Sequence, residues 1–186
     1  MNTEKDIIQR IGEKRFQHTR RVVEEAVRLA RFWGADEKQA RLAAYYHDCM
    51  KIRDKKLLFQ ACKDLGLELT QELKDSPEII HGPLGALAAR KYYGIKDEEV
   101  LHAIAIHTIG EEDMSVLDKI IYLADYIEPM RNFPGVEKAR KLAYTSLDEA
   151  MVYALEHTIS FLLDNKQVIA LSTLKARNFY RKKVNQ

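Results

Sequence analysis

The chain has 186 residues, 46% hydrophobic and 31% charged, enough for one domain with a substantial core and far from the composition of a disordered protein. Thirty basic and 28 acidic side chains leave a formal charge of +2, too balanced for nucleic acid or an anionic membrane to be the main partner. No apolar run approaches the ~18 residues of a membrane span, the first residues lack a secretory pattern, and two cysteines, Cys49 and Cys62, in no zinc-binding spacing suit a reducing cytoplasm.

Eight glycines and four prolines are few breakers, and the apolar residues recur at helical spacing throughout. A first helix is predicted near residues 3–12, ended by Gly12, and a long one from about Glu13 to Trp33, with Gly34 just beyond it. Asp36 caps a third that runs through Tyr46 and His47 to about Lys51, and Asp54 a fourth that reaches Leu65. The stretch from Gly66 to Pro77 is a looser connection with one short helical turn. His81-Gly82-Pro83 opens the next helix, where the missing proline N–H costs nothing, and Gly94 ends it. Another runs from about Asp97 to Thr108. Ser115 caps a strongly apolar helix that Pro129 terminates, Asn132 to Gly135 form a turn, and two more helices cover roughly 147–164 and 172–183. The expected architecture is a single all-α domain over 1–186, a bundle of nine or ten helices.

Chemistry-bearing residues interrupt this apolar pattern. His47 and Asp48 close the segment Leu42-Ala43-Ala44-Tyr45-Tyr46. A carboxylate and an imidazole at the apolar end of a helix are expensive without compensation, and a metal ion would compensate both, since neutral imidazole and carboxylate are usual ligands of transition metals. Taken alone, the pair reads more simply as a polar core residue beside a cap. A second carboxylate, Asp125, stands in the apolar run Ile120-Ile121-Tyr122-Leu123-Ala124, with Asp118 two turns earlier, a spacing that an exposed acidic stripe would also produce. His18, among Arg15, Arg20 and Arg21, reads equally as a solvated histidine. Lys51 lies four residues after His47 and three after Asp48, one turn along the same helix face, and Arg21 lies three after His18. Asn132-Phe133-Pro134-Gly135 would fix the preceding Arg131 rigidly. His102 and His157 read as structural.

The order His18, His47-Asp48, Asp125 resembles the HD superfamily of metal-dependent phosphohydrolases, and the flanking text sharpens the resemblance. Arg15-Phe16-Gln17-His18, His47-Asp48-Cys49-Met50-Lys51, His81-Gly82-Pro83-Leu84-Gly85-Ala86 and His107-Thr108-Ile109-Gly110 follow one another. They lead to Asp118-Lys119-Ile120-Ile121-Tyr122-Leu123-Ala124-Asp125-Tyr126-Ile127-Glu128-Pro129, Arg131-Asn132-Phe133-Pro134-Gly135 and Ala176-Arg177-Asn178. Together they look like the YqeK-type branch, bacterial symmetrical diadenosine-tetraphosphate hydrolases, over about residues 10–180. The resemblance implies an HD-type bundle whose core motifs span about 15–131, with the helices over 145–183 completing the substrate pocket. It implies that His18, His47, Asp48 and Asp125 hold one metal, iron first, with manganese, zinc, nickel or cobalt as other candidates. His81 and His107 would face the same cavity and hold a second metal or touch phosphate.

The same resemblance gives catalytic roles to Asp48, His81, His107 and Lys51, and substrate contacts to His18, Arg21, Lys51, His81, His107, Thr108, Arg131, Ala170, Thr173 and Arg177. His81 would also be kept neutral by the positive end of its helix dipole. The implied reaction is symmetric hydrolysis of a dinucleoside tetraphosphate to two nucleoside diphosphates by metal-activated water. The nucleotide is the implied partner, without nucleic acid or membrane, and the assembly a two-fold homodimer, the commonest closed form. One departure stands out: a His-Pro pair common before the Ala-Arg-Asn segment is Ala170-Leu171 here, which leaves only backbone contacts from 170 to 173. Two other functions compete: an HD phosphohydrolase acting on another nucleotide, and a nucleotide-binding regulatory module without turnover. The filled ligand positions disfavour the second.

Overall fold

Short polar side chains start most helices of this chain and glycines end several of them. The computed structural model describes residues 3–185, so Met1, Asn2 and Gln186 of the expected domain lie outside the described residues. In chain order the helices are α1 (Thr3–Ile11), α2 (Glu13–Trp33), α3 (Glu37–Tyr46), α4 (Lys55–Leu65), α5 (Gln71–Asp75), α6 (His81–Tyr93), α7 (Glu98–Ile106), α8 (Val116–Ile127), α9 (Val136–Ala143), α10 (Leu147–Asp164) and α11 (Leu171–Val184), with a 3-10 turn at Pro77–Ile79. Asp36, Asp54 and Asp97 each accept two backbone N–H groups as N-caps, satisfying donors that the first helical turn leaves unpaired. Gly34 ends α2 in the left-handed region, at φ 69°, where a side chain would be strained.

α8 is the centre of the bundle. It packs against α2, α3, α7, α9 and α10, and Ile120, Ile121, Leu123 and Ala124 are fully buried, each of the larger three contributing about 1.5–3 kcal/mol of hydrophobic stabilisation. A capping box starts it. Asp118 N–H donates to Ser115 Oγ at 3.1 Å and Ser115 N–H to Asp118 Oδ2 at 2.9 Å. That explains why Asp118 is buried, where the sequence also allowed an exposed acidic stripe. His102 donates to the same carboxylate, at 3.0 Å, and its other nitrogen lies 3.1 Å from Glu111.

Three differences from the sequence reading concern where helices end and how many there are. The third helix stops at Tyr46, not Lys51, and the seventh at Ile106, not Thr108; His47 and His107 are their C-caps. Both histidines point Nδ1 at a carbonyl three residues back, Ala44 O at 2.6 Å and Ile104 O at 2.7 Å. Those carbonyls are the ones the next N–H of a continuing helix would take, so the imidazole ends the helix that carries it. The third difference is α9, an eight-residue helix between the Asn132–Gly135 turn and α10 that the sequence reading passed over. Its start is Gly135, with no side-chain cap, so the usual polar signal is missing. With α5 also formed, the described residues hold eleven α-helices, one more than the upper expectation, and no strand.

α6 and α7 approach closely at Gly82, where a Cβ would collide with the carbonyl of Ala105. Because that oxygen belongs to the backbone, relief requires moving a helix. Gly82→Ala should cost about 1–3 kcal/mol and lower the thermal midpoint by roughly 5 °C, measured by calorimetry. A second expectation concerns pH. Burial alone would push the His102 pKa down, but Asp118 and Glu111 outweigh it and hold it above its ordinary value. The stabilisation is therefore complete below the unfolded value of about 6.5 and fades as pH rises through the raised one. Urea midpoints should show His102→Gln more destabilised, relative to the parent, at pH 6 than at pH 8.

Candidate metal centre

Three helices and the turns after two others converge on a buried focus. α2 supplies His18, the turn after α3 supplies His47 and Asp48, and α6 begins with His81. His107 follows α7, and α8 supplies Asp125 near its end. His47 and Asp48 are fully buried, and His18, His81 and His107 nearly so. Of the two readings of His18, the solvated one gives way to burial beside Asp125 of α8.

The imidazoles share one device. His47, His81 and His107 hold Nδ1 against the carbonyls of Ala44, Glu78 and Ile104 at 2.6–2.7 Å, and His18 holds Nδ1 3.2 Å from Glu128 Oε1. A ring that donates from Nδ1 presents the Nε2 lone pair, the tautomer that binds metals. The Nε2 atoms surround two carboxylates. His18 Nε2 lies 2.9 Å from Asp125 Oδ1, His47 Nε2 3.2 Å from Asp48 Oδ2, and His81 Nε2 3.2 Å from Asp48 Oδ1. His107 Nε2 is 3.8 Å from Asp48 Oδ1. Ligand atoms of His18, His47 and Asp125 lie mutually within 4.8 Å, as do those of His47, Asp48 and His107.

Buried polar atoms normally have partners. Here His18 Nε2, His47 Nε2, His107 Nε2 and Asp48 Oδ1 have no hydrogen bond of acceptable geometry. These four atoms, all nitrogen or carboxylate oxygen and spread over the two triads that share His47, are of the kind that binds a divalent transition metal. Arg15 pairs with Asp48, and Arg131 Nη2 with Asp125 Oδ1 at 2.7 Å. Burial opposes charge on both carboxylates. The His47 charge and hydrogen bond, His81 and Lys51 nevertheless hold Asp48 well below the usual carboxylate range, and His18, His47 and Arg131 do the same for Asp125. His81 and His107 are pushed down, the latter far down, chiefly by burial. Desolvation is thus the main reason His81 is neutral, where the sequence pointed to the helix dipole.

The other expected site residues divide by position. Lys51 lies one turn beyond Asp48, though the backbone there is no longer α-helix. Its Nζ is 3.1 Å from His81 Nε2 and 3.6 Å from Asp48 Oδ1. Arg131 lines a cavity with His107, Thr108 and Asp125. Arg21 is turned to Glu128, at 2.7 Å. Ala170 and Thr173 line a neighbouring cavity that shares Thr108 with the first. Their backbone segment is already engaged, since Ser172 N–H donates to Glu72 at 3.1 Å and Thr173 N–H to Ala170 O. Arg177 is held by Glu156 at 2.6 Å and lines neither cavity. Cys49, beside the pair, is a buried small residue whose thiol burial pushes up to about 12.

The sequence reading assigned no role to Arg15 or Glu128, both inside quoted motifs. Arg15 sits one helical turn before His18. Glu128 follows an apolar helix and precedes Pro129, an unusual place for a buried acid. Glu128 receives His18, Arg21 and the N–H of Met130, which outweigh its burial and hold it below its ordinary pKa. Arg140 of α9 clasps the same corner from outside, donating to the carbonyls of Ile127, Glu128 and Arg131 at 2.9–3.0 Å.

The chain belongs to the HD domain family, whose model matches residues 15–130, and this membership together with the donor set defines a divalent-metal site. It is 47% identical over 170 residues to the symmetrical bis(5'-nucleosyl)-tetraphosphatase of Halalkalibacterium halodurans, covering 90% of this chain and 89% of that one. The symmetrical bis(5'-nucleosyl)-tetraphosphatase of Bacillus subtilis is 40% identical, with 92% and 91% covered. Among solved structures, the crystal structure of a "predicted HD superfamily hydrolase involved in NAD metabolism" from Clostridium acetobutylicum superposes with a TM-score of 0.92 at 39% identity, over 97% of this chain and 96% of that one.

Outer partners that orient metal ligands typically contribute 10–100-fold to metal affinity. Glu128→Gln keeps an acceptor for His18 but loses the charge that fixes Arg21. It should weaken metal binding about tenfold, read by competition with a chromophoric chelator.

Proposed function

We propose that this protein is a metal-dependent hydrolase that cleaves dinucleoside tetraphosphates symmetrically into two nucleoside diphosphates. The observation that carries the reading is the convergence of His18, His47, Asp48 and Asp125 around orphaned donor atoms, with Lys51 and Arg131 beside the two carboxylates. The names of relatives aligned over nine-tenths of the chain supply the substrate class.

Residues His18, His47, Asp48 and Asp125 would hold the ion, iron first among the candidates, and His81 and His107 lie close enough to Asp48 to join a second. When bound, the metal supplies Lewis acidity, lowering the pKa of a water and withdrawing charge from phosphoryl oxygen. The chain's own groups do the rest. Lys51, beside Asp48, and Arg131, beside Asp125, offset the negative charge of the polyphosphate. His81 and His107, kept neutral by burial, can accept a proton at Nε2 and release it again. The leaving group is a nucleoside diphosphate, whose low pKa dispenses with a strong general acid. Asp48, between Arg15 and the imidazoles, fixes the geometry of the whole cluster. Arg21, Thr108, Ala170, Thr173 and Arg177 complete the proposed substrate contacts. For Arg21 and Arg177 this requires release from Glu128 and Glu156.

A reducing cytoplasmic setting accords with Cys49 and Cys62 as buried free thiols, and a two-fold dimer is the expected assembly. Among the described residues no helix is long and apolar enough to cross a membrane.

Incubation of metal-loaded protein with diadenosine tetraphosphate should give adenosine diphosphate as the only nucleotide product, resolved by anion-exchange chromatography. Asp48→Asn should lose at least 1,000-fold in kcat, about 4 kcal/mol of transition-state stabilisation. Mono- and triphosphate products would overturn symmetric cleavage, and binding without any release would make the chain a regulatory module.

A further inference from the structure

Two cavities border the metal cluster and share no lining residue. Asp125 and Arg131 line the first, of about 330 Å³, together with the rings of Tyr126, Phe133, His157 and Phe161. The second, of about 290 Å³, is lined by Lys51, Arg53, Lys55 and His81, with one acid, Glu78, and the rest of its wall is aliphatic. The two therefore differ in chemistry, one aromatic and one basic.

The basic cavity begins at the cluster. Lys51 Nζ lies 3.1 Å from His81 Nε2 and 3.6 Å from Asp48 Oδ1, so a side chain beside the expected metal ligands also walls the cavity. Arg53 and Lys55 add their charges to it, and both are exposed. Among the described residues neither forms an ion pair, whereas Arg20, Arg31 and Arg90 are each bound by a glutamate. The acid between them is engaged elsewhere. Asp54 Oδ1 caps α4, accepting the N–H groups of Lys56 and Leu57 at 2.8 and 3.1 Å. Three cations against one carboxylate, in a concave wall that adjoins a metal centre, favour an anion. No Phe, Tyr or Trp lines this cavity, so it offers a nucleobase no stacking surface.

A dinucleoside tetraphosphate cut at its centre has two diphosphate halves that leave the scissile bond in different directions, and each phosphate carries negative charge. We propose that the cavity of Lys51, Arg53 and Lys55 is a diphosphate subsite, taking the phosphates of one half while the other half runs past Arg131. The nucleoside of the half held here is left in solvent. The inference rests on the dinucleotide reading above and adds to it Arg53 and Lys55, which the hydrolysis chemistry does not use. The Arg53 guanidinium can fork two N–H groups onto one phosphate, and the Lys55 ammonium acts as a point charge. On this side the protein reads the length of the phosphate chain and not the identity of the base.

The test is calorimetric titration of metal-loaded protein with a methylene-bridged, uncleavable dinucleoside tetraphosphate. A double variant, Arg53→Gln with Lys55→Gln, alters two exposed side chains outside the metal cluster. It should weaken the analogue about tenfold, the loss of two cation–phosphate contacts, with metal affinity unchanged in competition with a chelator. A control double variant, Lys38→Gln with Lys63→Gln, removes the same charge from exposed lysines that line neither cavity and should bind the analogue as the parent does. Undiminished analogue affinity in the Arg53 and Lys55 variant overturns the subsite. An equal loss in the control overturns it too, because the effect then belongs to net charge, and so does a parallel loss of metal affinity. A parent that does not bind the analogue overturns the dinucleotide reading and the subsite together. A parent that binds the analogue but releases no diphosphate from the cleavable dinucleotide overturns the hydrolase reading alone, and the titrations still decide the subsite.

Discussion

Everything in this molecule's site depends on where its imidazoles keep their protons. Each of four rings has Nδ1 committed, three to main-chain carbonyls and one to Glu128. Nε2 is thereby left to face a pair of carboxylates in a volume that water barely reaches. A buried carboxylate such as Asp48 is costly by itself, and Arg15, Lys51 and the imidazoles reduce that cost without satisfying every atom. The remaining orphans are not a packing fault. They are imidazole and carboxylate ligand atoms able to hold a divalent cation.

Helix termini deliver this arrangement. His47 and His107 sit just past the ends of α3 and α7, and His81 at the start of α6. Each ring is anchored to the carbonyl three residues before it, so its direction follows from the helix axis and not from a free rotamer. α8 then fixes the distance across the site, carrying Asp125 on the most buried helix of the bundle and ending in Glu128. The corner beyond it is held because Arg140 binds the carbonyls of Ile127, Glu128 and Arg131 there. Arg131 owes its position to a helix, α9, that carries no site residue itself.

The similarity to relatives extends across nearly the whole chain, including the start of α11 at Leu171. Glu72 of α5 accepts from both the N–H and hydroxyl of Ser172 at the start of α11, so an internal carboxylate occupies the place where a helix N-terminus would otherwise attract an anion. The cavity lined by Ala170 and Thr173 is therefore coupled to the position of α5, a five-residue helix.

The sequence by itself determined the all-helical class and most helix starts, and it singled out His18, His47, Asp48 and Asp125, which the fold brings together. Capping residues act locally, and a charged side chain inside an apolar helix is conspicuous without any knowledge of its neighbours. It also located the motifs containing Arg15 and Glu128 without assigning them work. Tertiary structure alone decided that His47 and His107 end their helices, since that depends on a ring reaching a carbonyl in competition with the backbone. It alone revealed α9, whose glycine start carries no polar signal, and the buried state of Asp118. It alone gathered Tyr126, Phe133, His157 and Phe161 around one cavity. Those rings come from two helices and a turn, and their sequence spacing says nothing of the crossing of α8 and α10 that brings them face to face.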